Sequence, residues 1–209
     1  SSDTSYDLSS SSATITLDGS DGDFTNFDTA KSAEEYTATV TIDESSQVTS
    51  SDTFNINQVA NSISVDVSPD SITADGTDQA TFTATVTDYN GDAYDGASVS
   101  VNSADSELDG ISTEESATTG DGEDASGEAT FTATATNDGD YQATFSTSAG
   151  DMDGATDSAT ANFEPGATDH LEITATPDSA SEAGSESTEF VVTRYDANDN
   201  AVTDGDLSV

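Results

Sequence analysis

Residues 63–101 read ISVDVSPDSITADGTDQATFTATVTDYNGDAYDGASVSV, and residues 171–209 read LEITATPDSASEAGSESTEFVVTRYDANDNAVTDGDLSV. The two align without a gap at an offset of 108 residues; Pro69, Asp70, Ser71, Gly76, Phe82, Thr85, Asp88, Asn90, Ala93, Ser100 and Val101 equal their counterparts. Self-similarity at a fixed period marks repeated structural units. Within the first copy Ile63, Val65 and Val67 alternate with Ser64, Asp66 and Ser68, while Phe82, Ala84 and Val86 alternate with Thr and are followed by Val99 and Val101. A period of two, bounded by Asp, Asn, Gly and Ser, is the pattern of half-buried antiparallel strands.

Working outward, the same alternation returns at Phe131, Ala133 and Ala135, at Tyr141, Ala143 and Phe145, and at Ala159, Ala161 and Phe163, after a loop-rich stretch. No helical period competes with it, and Thr-rich strand faces suit a pleated surface. Roughly seven short strands in about 100 residues is a sandwich signature. The expected fold is therefore all-β, in tandem immunoglobulin-like antiparallel β-sandwich modules.

Residues 33–43, AEEYTATVTID, align on residues 138–148, DGDYQATFSTS, at an offset of 105, which sets Tyr36 on Tyr141. The segment Asn137-Asp138-Gly139-Asp140-Tyr141 reads as a tyrosine corner, in which a Tyr near the start of the sixth strand returns its hydroxyl to the backbone just upstream. Carried on at the same offset, 53–59, with Phe54 and Ile56, corresponds to 158–164. Three segments result: 1–62 with late strands of a module, 63–164 as a complete module, and 165–209 with early strands of another. The two partial segments together nearly equal one repeat. Either the chain is a piece of a longer repeat protein, or the end of one subunit completes the start of the next and builds a head-to-tail homopolymer by strand complementation.

The stretch SPDSITADGTDQATFTATVTDYNGDAYDGASVSV resembles the invasin/intimin-type bacterial Ig-like repeats in its Pro near the end of the first strand, its Ala-Asp-Gly turn, its T-x-T-A-x-V-x-D strand and its Asn-Gly turn. The resemblance spans 63–164 well and 171–209 in part. It implies passive rods and spacers of surface adhesins, surface layers and fibres, with no catalytic residues to carry over.

Composition narrows the function further. The chain holds 43 Asp and Glu against 2 Lys and Arg, a formal charge of −41. Acidic chains poor in aromatics are often disordered, but here the acids stand singly among Thr, Ser and Ala and the apolar alternation persists. The composition resembles that of haloarchaeal proteins, folded in molar salt where the screening length falls to roughly 3 Å. Nucleic acid is excluded, since a phosphate backbone demands the cations this chain lacks. There is no Cys, no run of apolar residues long enough to insert in a membrane and no Asn-x-Ser/Thr sequon. The start at Ser1 reads as a processed or cut end.

Chemistry is sparse. His170 is the sole histidine, placed at a module junction, so no triad or imidazole base is available. Glu34-Glu35 and Glu114-Glu115 are pairs expected by frequency alone in so acidic a chain. Asp88-x-Asn90-x-Asp92 and Asp196-x-Asn198-x-Asn200 match the first half of a calcium loop, but both lack Gly at the sixth position and Glu at the twelfth, where Val99 and Leu207 stand. They remain the candidate cation ligands, with diffuse Na⁺ or K⁺ expected and calcium the sharper alternative. Lys31 reads as a surface ion-pair partner of Glu34 and Glu35. Arg194 takes the repeat position of Val86, a core slot, so its guanidinium must reach an edge or a carboxylate.

The expected role is that of a non-enzymatic extracellular structural component of a haloarchaeal surface assembly, filament or surface-layer-like coat. The rivals are an adhesin stalk, marked by an exposed aromatic patch around Tyr89 and Tyr94, a viral fibre, and a spacer in a secreted hydrolase. Diluting from molar KCl to about 0.1 M lengthens screening from roughly 3 to 10 Å, so circular dichroism should show the β signal lost. Full retention at low salt would overturn the halophilic reading.

Overall fold

The computed structural model describes residues 35–42, 48–55, 57–120, 126–179, 182, 184, 187–203 and 205. Strands β1 (Glu35–Ile42) and β2 (Val48–Asn55) pair antiparallel over eight positions. Next come β3 (Ala60–Ser68), β4 (Ile72–Thr73), β5 (Ala80–Asp88), β6 (Ser98–Ala104), β7 (Ser116–Thr118), β8 (Glu128–Ala133), β9 (Gly139–Thr147) and β10 (Ala155–Glu164). Strands β11 (His170–Thr176) and β12 (Glu189–Tyr195) form a second antiparallel pair.

Between the two outlying pairs lies a sandwich of a three-stranded sheet, β3-β5-β8, and a five-stranded sheet, β4-β10-β9-β6-β7. The alternation puts one side of each strand inside: Phe82, Ala84 and Val86 on β5, Val99 and Val101 on β6, Ala143 and Phe145 on β9, Ala161 and Phe163 on β10 are all buried. Phe145 bridges the layers, with its ring 5.7 Å from Phe82 and 4.9 Å from Phe131. Most of the rest of this core is Ala, Val or Ile. The Phe side chains therefore carry much of the apolar burial, about 1.5–3 kcal/mol each.

Periodicity missed the elements too short to show a period. β4 and β7 span two and three residues. Within the stretch read as loop, Leu108 and Ile111 join the core, and Thr119 clamps the crossover between sheets: its hydroxyl donates to the Tyr94 carbonyl at 2.7 Å and accepts the Ala97 N–H at 3.0 Å. Ala135 lies past the end of β8 but is fully buried.

The repeat is visible in register. Leu171↔Arg194, Ile173↔Val192 and Ala175↔Phe190 reproduce Ile63↔Val86, Val65↔Ala84 and Val67↔Phe82 at the same offset of 108. For β1 and β2 the sequence alignment needs correction. The segment joining them is two residues shorter than that joining β9 to β10, so in the register Phe54 answers to Ala161, not to Ala159. A shorter turn moves the return strand while leaving the outgoing one in place. Ile56 itself lies outside the described residues.

The tyrosine corner is formed. The Tyr141 hydroxyl donates to the Asp138 carbonyl at 3.0 Å and lies 3.2 Å from that of Asn137. Gly139, at φ 146°, lets the ring close over the backbone, since a Cβ there would lie 3.2 Å from the ring. Burial, then the carboxylates of Glu107, Asp138 and Asp105, push the phenol pKa above its usual value. Replacing Tyr141 by Phe is expected to cost about 1 kcal/mol, the net worth of one such bond. Hydrogen exchange of the amides around the corner, measured in molar salt, should accelerate accordingly; unchanged protection would show the hydroxyl to be idle.

Candidate functional site

A short acidic side chain at the start of a tight turn can accept hydrogen bonds from its own backbone. Asp88 does this: its Oδ1 accepts the N–H of Asn90 at 2.8 Å and of Asp92 at 3.0 Å. The ladder runs Tyr94 N–H to the Val86 carbonyl and Asp88 N–H to the Asp92 carbonyl, with Gly91 left-handed at φ 83°. The Asn90-Gly91 turn is thus a tight reversal, as read, but it joins no hairpin within one sheet. The chain crosses from β5 to β6 in the opposite layer.

The second copy repeats the turn and then uses it. Asp196 Oδ1 accepts the N–H of Asn198 and of Asn200, both at 2.9 Å. Asp199 takes the left-handed place of Gly91 at φ 67°, a conformation Asp tolerates better than most residues. Asp196 Oδ2 accepts the backbone N–H of Gly166 at 2.8 Å and the Asn200 side-chain amide at 3.0 Å. Asn200 Nδ2 donates to the Thr136 carbonyl at 2.8 Å, Asn198 Nδ2 donates to the Ala74 carbonyl at 3.1 Å, and the Asp138 N–H donates to Asn200 Oδ1 at 3.0 Å. The turn of 196–200 is thereby seated on one pole of the sandwich, on the loops that follow β4, β8 and β10. Asp196 is 2% and Asn200 5% exposed.

This joint is the most elaborate polar site among the described residues. Burial alone would raise the Asp196 carboxyl, but the Asn200 amide and the backbone N–H groups of Gly166, Asn200 and Asn198 outweigh it and hold the pKa at about 2. Around it, the imidazole of His170 stacks on Tyr195 at 5.4 Å, with Nδ1 3.5 Å from Asp169 and Nε2 3.4 Å from Asp199. The histidine therefore sits at the joint, as read from its position.

Of the six candidate ligands, the structure brings together the members of each trio only as turns capped by their own Asp. Among the described residues no three His, Cys, Asp or Glu side chains converge as a metal cage would require. Arg194 is half-buried and donates to the Gly205 carbonyl at 3.3 Å. Glu114 is exposed and Glu115 half-buried. Lys31, Glu34 and Leu207 lie outside the described residues. Tyr89 is exposed, with its hydroxyl 3.3 Å from Asp151, whereas Tyr94 packs against the core, so the two form no aromatic patch.

What the sequence reading missed is the docking role of Asn200. Its signal was the change from Asp92 to Asn200 between copies, which supplies the amide donor that faces carbonyl oxygens. Because the folded pKa of Asp196 lies below the unfolded value near 3.9, its contribution is complete above about pH 4 and is lost as pH falls through about 2. The stability difference between the native chain and Asp196→Asn should shrink over that window, and a carbon-detected titration should place the carboxyl near the lower end. A titration at the ordinary Asp value would contradict the joint's geometry.

The bacterial Ig-like domain (group 1) family matches residues 62–164. Among solved structures, the crystal structure of invasin, a bacterial integrin-binding protein, is similar at 19% identity and TM-score 0.51, covering 81% of this chain and 34% of that one. The D00-D0 domain of intimin is similar at 23% identity and TM-score 0.36, covering 62% of this chain and 64% of that one. Domains 1–6 of the surface layer protein SbsC are similar at 21% identity and TM-score 0.36, covering 81% and 20% respectively. The chain thus spans about a third of the length of invasin. No curated protein sequence matches it significantly. Among the described residues no helix is long and apolar enough to cross a membrane. With the two-layer sheet order and the tyrosine corner already in place, residues 62–164 match the bacterial Ig-like domain (group 1) family and share the fold seen in the invasin structure.

Proposed function

We propose that the chain is a stiff, non-enzymatic spacer of an extracellular cell-surface structure, adapted to molar salt, in which successive Ig-like units are held at a fixed angle. The observation that carries this is the joint. Five residues, 165–169, connect β10 to β11. A linker of that length permits a hinge, yet the Asn198 and Asn200 bonds fasten the 196–200 turn to two loops of the preceding unit, after β4 and β8, and Asp196 fastens it to the linker itself at Gly166.

The kinship with surface proteins supports the location, and the charge of −41 supports salt adaptation. The haloarchaeal origin, the filament or coat, and weakly held Na⁺ or K⁺ at the carboxylates are parts of the same proposal. An adhesin tip is less well served, because Tyr89 stands without Tyr94 at its side.

Spin labels at exposed Thr130 and Glu172 should give one narrow distance distribution in molar KCl. Asn200→Asp restores the residue of the first copy but sets a carboxylate against the carbonyls of Thr136 and Ala74, so the distribution should broaden. A broad distribution in the native chain, or none of this broadening in the variant, would refute a stiff joint.

A further inference from the structure

Asparagine is a chemically labile residue: the backbone nitrogen of the residue that follows can attack its side-chain carbonyl carbon, and a glycine there puts no Cβ in the way. Asn90-Gly91 is the one Asn-Gly pair in the chain. It forms the tip of the turn between β5 and β6, where Tyr89, Asn90, Gly91 and Asp92 are all exposed. A Cβ built on Gly91 would meet nothing within 4 Å, so there is room for a ring to close. The second copy fills the same turn differently. Asp199 takes the place of Gly91 in the same left-handed conformation, at φ 67° against 83°, although glycine adopts it at no steric cost. Asn198, in the place of Asn90, has its amide nitrogen committed to the Ala74 carbonyl at 3.1 Å. The copy that forms the joint thus carries a side chain where the attack would come and holds the amide still, and the first copy keeps the glycine.

We propose that Asn90-Gly91 is a self-modification site, converted without an enzyme to a mixture of aspartyl and isoaspartyl forms. The Gly91 nitrogen gives up its proton and bonds to Asn90 Cγ, the bond from Cγ to Nδ2 breaks, and ammonia leaves with that proton, closing a five-membered succinimide. Water, the sole co-reactant, then opens the ring at either carbonyl. One opening leaves Asp with the backbone unchanged, and the other leaves an isoaspartyl residue whose backbone runs through the side chain and is longer by a methylene. In the closed turn the Gly91 N–H donates to the Asp88 carbonyl at 3.1 Å, so the nitrogen is released when the turn opens, and the accumulated product counts those openings. The Asp92 N–H to Asp88 Oδ1 bond at 3.0 Å and the Asp88 N–H to Asp92 carbonyl bond at 2.9 Å both span the altered linkage. The isoaspartyl form therefore loosens the cap on Asp88, a carboxylate only 5% exposed. Either product also sets a new carboxylate between Asp88 and Asp92, a repulsion that molar salt screens and dilute buffer does not.

The test is to age the folded chain in molar KCl at mildly alkaline pH and follow its peptides by mass spectrometry. The mass gain of amide-to-acid conversion should appear at Asn90 before any other Asn, Asn198 included, and should quicken as pH rises, because the attacking nitrogen must lose its proton. The product should be two peptides of equal mass that separate on chromatography, one aspartyl and one isoaspartyl. Gly91→Asp, which installs the residue of the second copy, should slow conversion at Asn90 to the pace of Asn198. Conversion at Asn90 no faster than at Asn198, or undiminished in a Gly91→Asp chain whose circular dichroism is native, would overturn the proposal. A product that is aspartyl alone, the mark of direct hydrolysis, would overturn it as well, and that outcome is read on the unsubstituted chain whatever the variant does.

Discussion

A buried carboxylate must be compensated where it sits, and Asp196 is compensated by neutral donors aimed at both its oxygens. In a chain of 43 acids and 2 basic side chains, salt bridges cannot do this work in general. The backbone does it instead. Asp88 caps its own turn, Asp75 accepts the N–H groups of Thr77 and Asp78, and Asp157 seals the edge of β3 at Val65. Asp95 and Asp105 accept the N–H groups of Gly127 and Gln142. Acidic side chains thereby serve as staples for loops and edges, each bond drawing on the extra strength of an ionised acceptor. At exposed Asp75 the backbone N–H of Asp78, then the backbone N–H and the hydroxyl of Thr77, are enough to lower the pKa.

The architecture was legible in the chain because a strand with one buried face writes a period of two. Phe82, Ala84 and Val86 could be assigned to the core from their Thr neighbours alone, and the corner at Tyr141 from its local motif. Elements held by single bonds leave no period. β7, the Thr119 clamp and the burial of Leu108 depend on what crosses beside them, which no local pattern encodes.

The joint was legible only as a turn. Asp196, Asn198 and Asn200 were singled out for the oxygen atoms they offer a cation, and the geometry turns the oxygens of Asp196 and Asn200, and the amides of Asn198 and Asn200, toward the protein's own backbone. Sequence spacing shows that such groups cluster. Whether they face an ion or a neighbouring loop depends on contacts between residues more than 60 positions apart, such as Asn200 with Thr136 and Asp138.

The corner and the joint also share a segment. Asp138 gives its carbonyl to Tyr141 and its N–H to Asn200, so the loop that closes one unit is the seat of the next. Stability then propagates along the chain: a unit that opens at its corner releases its neighbour, and a docked neighbour resists that opening. Nearest-neighbour coupling of this kind makes a row of units melt in longer blocks than their separate stabilities would dictate. A small, Ala-rich sandwich gains from such a connection a resistance to opening that its own core does not supply.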